Sequence, residues 1–220
     1  MNYRIPISIS TAFLLIAGSA SGQAIPKEEM TARSQKASLA RAFCSGKPGE
    51  RGRAVTTVVE NPRATLPWLM AWTKCSPKGG WDSCKGEVPI VYGADPSCLF
   101  FPMVEVFSQL RVKEAVPYLI ANVDIDPGHN RARTPLSTET PAIQALLRIG
   151  GDATPALLEA LSKMPYCRDC DHALRRLGII IALAQIVDPR ARPALEEAAT
   201  HPGWEQMTAK EGLRLLDARR

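Results

Sequence analysis

The chain has 220 residues, 45% hydrophobic and 22% charged, with a formal net charge of +5. That length suits one domain burying about 70% of its unfolded surface. The charge is mild and the basic residues are scattered among acids, which excludes the concentrated basic face that nucleic-acid binding requires.

Residues 1–24 read as a signal peptide. Arg4 supplies a basic start, residues 5–20 an apolar run, and Gly22-Gln23-Ala24 fits the small-residue cleavage rule. A membrane span needs about 20 apolar residues, and this run is interrupted by serines and a proline. No cysteine follows closely enough for a lipid anchor. Leu177 to Val187 is also too short to span and reads as a buried helix. The expected mature protein is secreted or periplasmic, with no membrane span after cleavage. Its regions are 25–99, helical and cysteine-containing, and 100–220, built of repeats.

Lys27 to Phe43, charged and Ala-rich, reads as a leading helix. Arg63 to Trp72 looks like a degraded repeat unit, because Pro67 is followed by Leu69. Within it Trp68 and Trp72 lie four residues apart on one helix face. They read as core, with an aromatic binding patch as the sharper alternative, as large rings bury much area. Cys75 to Cys98, rich in Gly and Pro, reads as a disulfide-stapled loop.

Six cysteines in an exported chain indicate disulfides. Short separation favours Cys75 with Cys84, turned by Gly79-Gly80, and Cys167 with Cys170. Cys44 and Cys98 are then left to each other.

From residue 100 onward the chain repeats itself. Ala115-Val-Pro117-Tyr-Leu119, Ala153-Thr-Pro155-Ala-Leu157 and Ala191-Arg-Pro193-Ala-Leu195 share Ala-x-Pro-x-Leu, and their prolines are 38 residues apart both times. Equal spacing of this size marks a solenoid or array. Proline has a preset φ and no N–H to lose, so each motif marks a helix start. Leu119, Ile120 and Val123, then Leu157, Leu158 and Leu161, keep a one-sided apolar stripe. A first helix precedes each motif, at Phe100 to Leu110, Thr140 to Ile149 and Asp171 to Val187. Gly150-Gly151 and Asp188-Pro189 break the chain between paired helices. Trp204 to Arg220 reads as a polar-faced capping helix.

The run Gly150-Gly151-Asp152-Ala153-Thr154-Pro155-Ala156-Leu157-Leu158-Glu159-Ala160-Leu161 resembles the HEAT-repeat family, in particular the short-repeat variety of the phycobilin lyases. Ile186 to Ala198 matches nearly as well. The resemblance implies an all-α fold, a short right-handed α-solenoid of helix pairs, here with a disulfide-stapled N-terminal region. It further implies a binding scaffold whose concave face, lined by the second helices, grips a protein or peptide. Beside the apolar stripes, Tyr118, Asn122, Glu159, Lys163 and Glu197 are the residues such a partner would read.

Chemistry is sparse. Cys167-Arg168-Asp169-Cys170 precedes a helix start, where a thiolate is favoured, but Asp169 and Asp171 oppose it and no strand is visible to frame a thioredoxin-like site. Zinc at Cys167, Cys170 and His172 wants further ligands, and no second C-x-x-C occurs. His129, with Asp124 and Asp126, and His201 sit in connectors. No phosphate loop, serine elbow or H-E-x-x-H is present. The expectation is a non-enzyme without metal or cofactor. The alternatives are an extracytoplasmic thiol-disulfide oxidoreductase at Cys167 and Cys170, or a lyase by family analogy.

Overall fold

The computed structural model describes residues 27–78, 84, 88, 91, 94, 97–125 and 139–219. The expected signal peptide at 1–24, Gly79-Gly80, Trp81 and the connector carrying Asp126 and His129 lie outside these residues. Among the described residues there are helices and no strand, and no helix is long and apolar enough to cross a membrane.

The N-terminal region holds α1 (Lys27–Phe43), α2 (Pro48–Glu60) and α3 (Pro62–Trp72). The repeats follow as first and second helices. These are α4 (Ser97–Leu110) with α5 (Val116–Ala121), α6 (Pro141–Ile149) with α7 (Thr154–Ser162), and α8 (Ala173–Ile186) with α9 (Arg192–Ala198). The helix α10 (Trp204–Ala218) closes the array. First helices stack in chain order, α4 on α6, α6 on α8 and α8 on α10, while α2 extends the layer below α4. The second helices lie beside them, α5 packed on α7 and α9 on both α8 and α10. The fold is thus an α-solenoid of helix pairs.

The repeat motif has one physical meaning in all three units. Its alanine ends a single 3-10 turn, at Lys113–Ala115, Gly150–Ala153 and Pro189–Ala191. Ala115, Ala153 and Ala191 are all fully buried, where a methyl group is all that fits. The prolines come next, in the first turn of each second helix, exposed and without a backbone donor to satisfy. Leu119, Leu157 and Leu195 then point into the core at 0% exposure.

Equivalent polar links join successive turns. Lys113 Nζ reaches Asp152 at 2.7 Å. Arg190 donates to the Gly151 carbonyl at 2.7 Å, across the same separation of 39 residues. Asp188 fixes that arginine, and the Arg190 guanidinium holds the Asp188 carboxyl down at about 2. The backbone repeats as well. Arg111 and Val187, two periods apart, both follow the end of a first helix with φ of +50° and +56°. A left-handed valine is costly, so packing on both sides dictates it. The second unit makes the same reversal with Gly150 at +74°.

The first and last layers meet this pattern in different ways. Between α8 and α10 a Cβ at Gly212 would lie 2.7 Å from the Ala184 Cβ, so a small residue sets how closely these helices approach. At the other end, α3 is indeed a helix lying against α2, but Pro67 sits inside it and Pro62 occupies its first turn. The degraded unit therefore exists as a helix pair without the proline register read from Pro67-Trp68-Leu69. The partner helix α2 starts at Pro48 and buries Ala54, Val55 and Val58.

Cys44 is joined to Cys98, tying the end of α1 to the start of α4 across 54 residues, and Cys75 is joined to Cys84 across 9. Closing such loops restricts the unfolded chain and stabilises by roughly 2–4 kcal/mol each. The structure differs from the sequence reading at Cys167 and Cys170, which are free thiols and not a disulfide. The Cys170 sulfur is turned toward the Cys167 carbonyl at 3.7 Å and His172 Nε2 at 3.3 Å. Other contacts hold this turn, so it does not depend on a crosslink.

Candidate partner-binding surface and thiol pair

The five residues read as partner contacts divide in two. Glu159 and Lys163 are exposed on and just after α7, and Lys163 donates to Glu159 at 2.6 Å, one turn apart. That hydrogen bond holds the Glu159 carboxyl below the ordinary carboxylate value. Glu197 is exposed on α9. Tyr118 and Asn122, by contrast, are buried and are corrected here. Helix α5 has only six residues and is covered from more than one side. Tyr118 packs its ring against Phe100 and Phe107 of α4, and burial pushes its hydroxyl well above the usual value. Asn122 turns back and donates to the Tyr118 carbonyl at 2.9 Å.

Both residues nevertheless line the floor of a polar groove of about 510 Å³. It opens between the segment after α3, the outer side of α5 and the start of α8, with Pro117, Ala121 and Arg175 among its walls. Lys78 crosses one end to Asp124 at 2.8 Å, and Arg175 lies 4.0 Å from the same carboxylate. A larger groove, about 740 Å³, runs between α1, α2 and α3 and is lined by Leu39, Ala42, Val58 and Trp68. The two tryptophans of α3 therefore part company. Trp72 is core, edge-on to Phe43 with ring centres 6.1 Å apart, and Trp68 is half-buried on the groove wall.

The most elaborate electrostatics lie at the C-terminal end, in residues the sequence reading passed over. Arg176 of α8 is 2% exposed. It donates to Glu205 of α10 at 3.1 Å, to Glu197 of α9 at 3.3 Å and to the Met164 carbonyl. Glu205 is itself buried. A charged pair removed from water persists only when its remaining donors are satisfied, and Arg176 places its guanidinium among all three acceptors. His201 Nε2 donates to Glu197 at 2.7 Å, while its ring stacks on Tyr166 with centres 4.1 Å apart. Burial pushes the Glu197 carboxyl up, but the His201 hydrogen bond and the Arg176 charge outweigh it and hold it below the ordinary value. His201, read as a plain connector residue, is thus a strut between two loops. A sequence signal existed only in hindsight: Arg176 sits in register with the apolar run that follows it.

Cys167 and Cys170 lie beside this network. Both are partly exposed. His172 Nε2 approaches the Pro165 carbonyl at 3.1 Å as well as the Cys170 sulfur. Burial, reinforced by a hydrogen bond with Cys167, pushes the Cys170 thiol up. Among the described residues no three His, Cys, Asp or Glu side chains converge as a metal centre requires.

Residues 175–201 match the family model described as the PBS lyase HEAT-like repeat. The match spans α8 and α9, the third helix pair, and agrees with the resemblance carried by the second. No curated protein and no solved structure matches the chain. A repeat fixes architecture and leaves chemistry to individual residues.

Proposed function

We propose that the chain is an exported repeat scaffold, secreted or periplasmic, that grips a protein or peptide with the layer of second helices α5, α7 and α9. One observation carries the reading. The repeat sets these helices side by side with short, polar outward positions, and a 510 Å³ groove opens along α5 where an extended segment could lie. Stacked repeats present extended surfaces of this kind for partners. The observation on the side of an enzyme is that Cys167 and Cys170 carry free thiols. Nothing comparable favours a lyase.

The test begins with a partner recovered from the extracytoplasmic fraction and purified. Glu197 is committed to Arg176 and His201, so Glu159 and the exposed Glu196 are the cleaner probes. Glu159→Lys with Glu196→Lys should weaken binding about tenfold at low salt, equal to about 1.4 kcal/mol, and less at high salt. Unchanged affinity in this double variant and in Ala121→Arg, which fills the groove wall, would remove the second helices from the interface.

A further inference from the structure

Four of the six cysteines are paired and two are not. The unpaired two share one turn and lie within hydrogen-bond reach of each other. Both are partly exposed. The turn is braced independently of them. On one side His172 Nε2 holds the Pro165 carbonyl at 3.1 Å, and on the other Arg176 holds the Met164 carbonyl. A bond between the two sulfurs can therefore form and break while the turn keeps its anchors. A structural disulfide has the opposite property, because its turn depends on it.

We propose that Cys167 and Cys170 form an exchangeable dithiol, which takes up a disulfide from a small-molecule or protein disulfide and can return it. The chemistry balances as two exchanges. The Cys167 thiolate attacks one sulfur of R–S–S–R′. A bond forms between Cys167 and that sulfur, the incoming disulfide bond breaks, and R′S⁻ leaves and takes a proton. Cys170 then loses its proton and attacks the Cys167 sulfur. The Cys167–Cys170 bond forms, RS⁻ leaves, and it too is protonated. The protein's two thiols lose two electrons, and the incoming disulfide becomes RSH and R′SH.

The surroundings assign the order of events. Cys170 is the thiol held protonated by burial, so Cys167 is the attacking sulfur and Cys170 the resolving one. His172 is a positioning residue. The hydrogen that its Nε2 offers the Pro165 carbonyl also faces the Cys170 sulfur at 3.3 Å and steadies the thiolate that forms during resolution. The inference does not depend on the scaffold reading, since its readouts need no partner.

The experiment uses the full mature chain with its other disulfides intact. The protein is equilibrated in buffers of reduced and oxidised glutathione, quenched with acid, alkylated and mapped by peptide mass. Cys167 and Cys170 should pass between dithiol and mutual disulfide as the glutathione ratio changes, while Cys44–Cys98 and Cys75–Cys84 stay joined. Cys170→Ser should trap a lasting glutathione adduct on Cys167. Cys167→Ser should form an adduct on Cys170 at least about tenfold more slowly. His172→Gln should slow resolution about threefold for each unit by which the Cys170 thiol rises, without slowing the first adduct. Circular dichroism shows that each variant is folded. The proposal is overturned if both thiols survive excess oxidised glutathione. It is equally overturned if the pair, once joined, resists reduction as firmly as the two other disulfides, or if folded Cys170→Ser collects no adduct.

Discussion

Replacing Arg176 by methionine lowers the unfolding free energy by about 3–5 kcal/mol, the penalty for breaking a buried ion pair by removing one partner. The cost does not come from the lost attraction alone. Glu205 would remain buried with no cation, and the Met164 carbonyl would lose its donor. The double variant Arg176→Met with Glu205→Leu removes both charges and should recover a large part of the loss. Urea denaturation of the wild type, both single variants and the double variant closes the cycle. A change below about 1 kcal/mol in Arg176→Met would mean the pair is solvated and the network is not as the structure has it.

Leu157→Ala should cost about 2–5 kcal/mol, the range for truncating a buried leucine in a core that cannot collapse around the cavity. Leu157 is fully buried between the helices of its own unit and their neighbours. Leu119 and Leu195 are equally buried one period to either side, so Leu119→Ala and Leu195→Ala belong in the same range. The comparison carries more than any one value. Chemical denaturation showing one of the three near zero would break the equivalence of the units, whatever the other two did.

The repeat was legible because its signals are local. Proline, buried alanine and leucine act within one turn of each other, and the 38-residue spacing adds a long-range check. Helix α2 escaped reading for the opposite reason. It opens Pro-Gly-Glu-Arg-Gly-Arg, a polar stretch with two glycines, and its apolar stripe is only Ala54, Val55 and Val58. Pro67 misled because Pro-x-Leu says where a helix is but not which turn the proline occupies, and Pro62 already held the first turn. Tyr118 and Asn122 were placed outside by counting positions around an isolated helix. A helix as short as α5 has neighbours on more sides than such counting assumes. The Arg176 network was out of reach, because its acids lie 21 and 29 residues away and are brought close only by the folding of α9 and α10. The thiol pair was visible as a motif, but its state depends on His172, Pro165 and Met164 holding the turn without it.

The central claim is that the second helices form the working face. Site-specific photo-crosslinking addresses it directly. A photoreactive residue is placed at Ala121 on α5, at Glu159 on α7, or at Gln109, exposed on the first-helix layer. Each variant is then irradiated with the purified partner. The account predicts partner adducts from positions 121 and 159 and none above background from 109. Adducts from position 109 with none from 121 or 159 would contradict it and assign the partner to the first-helix layer.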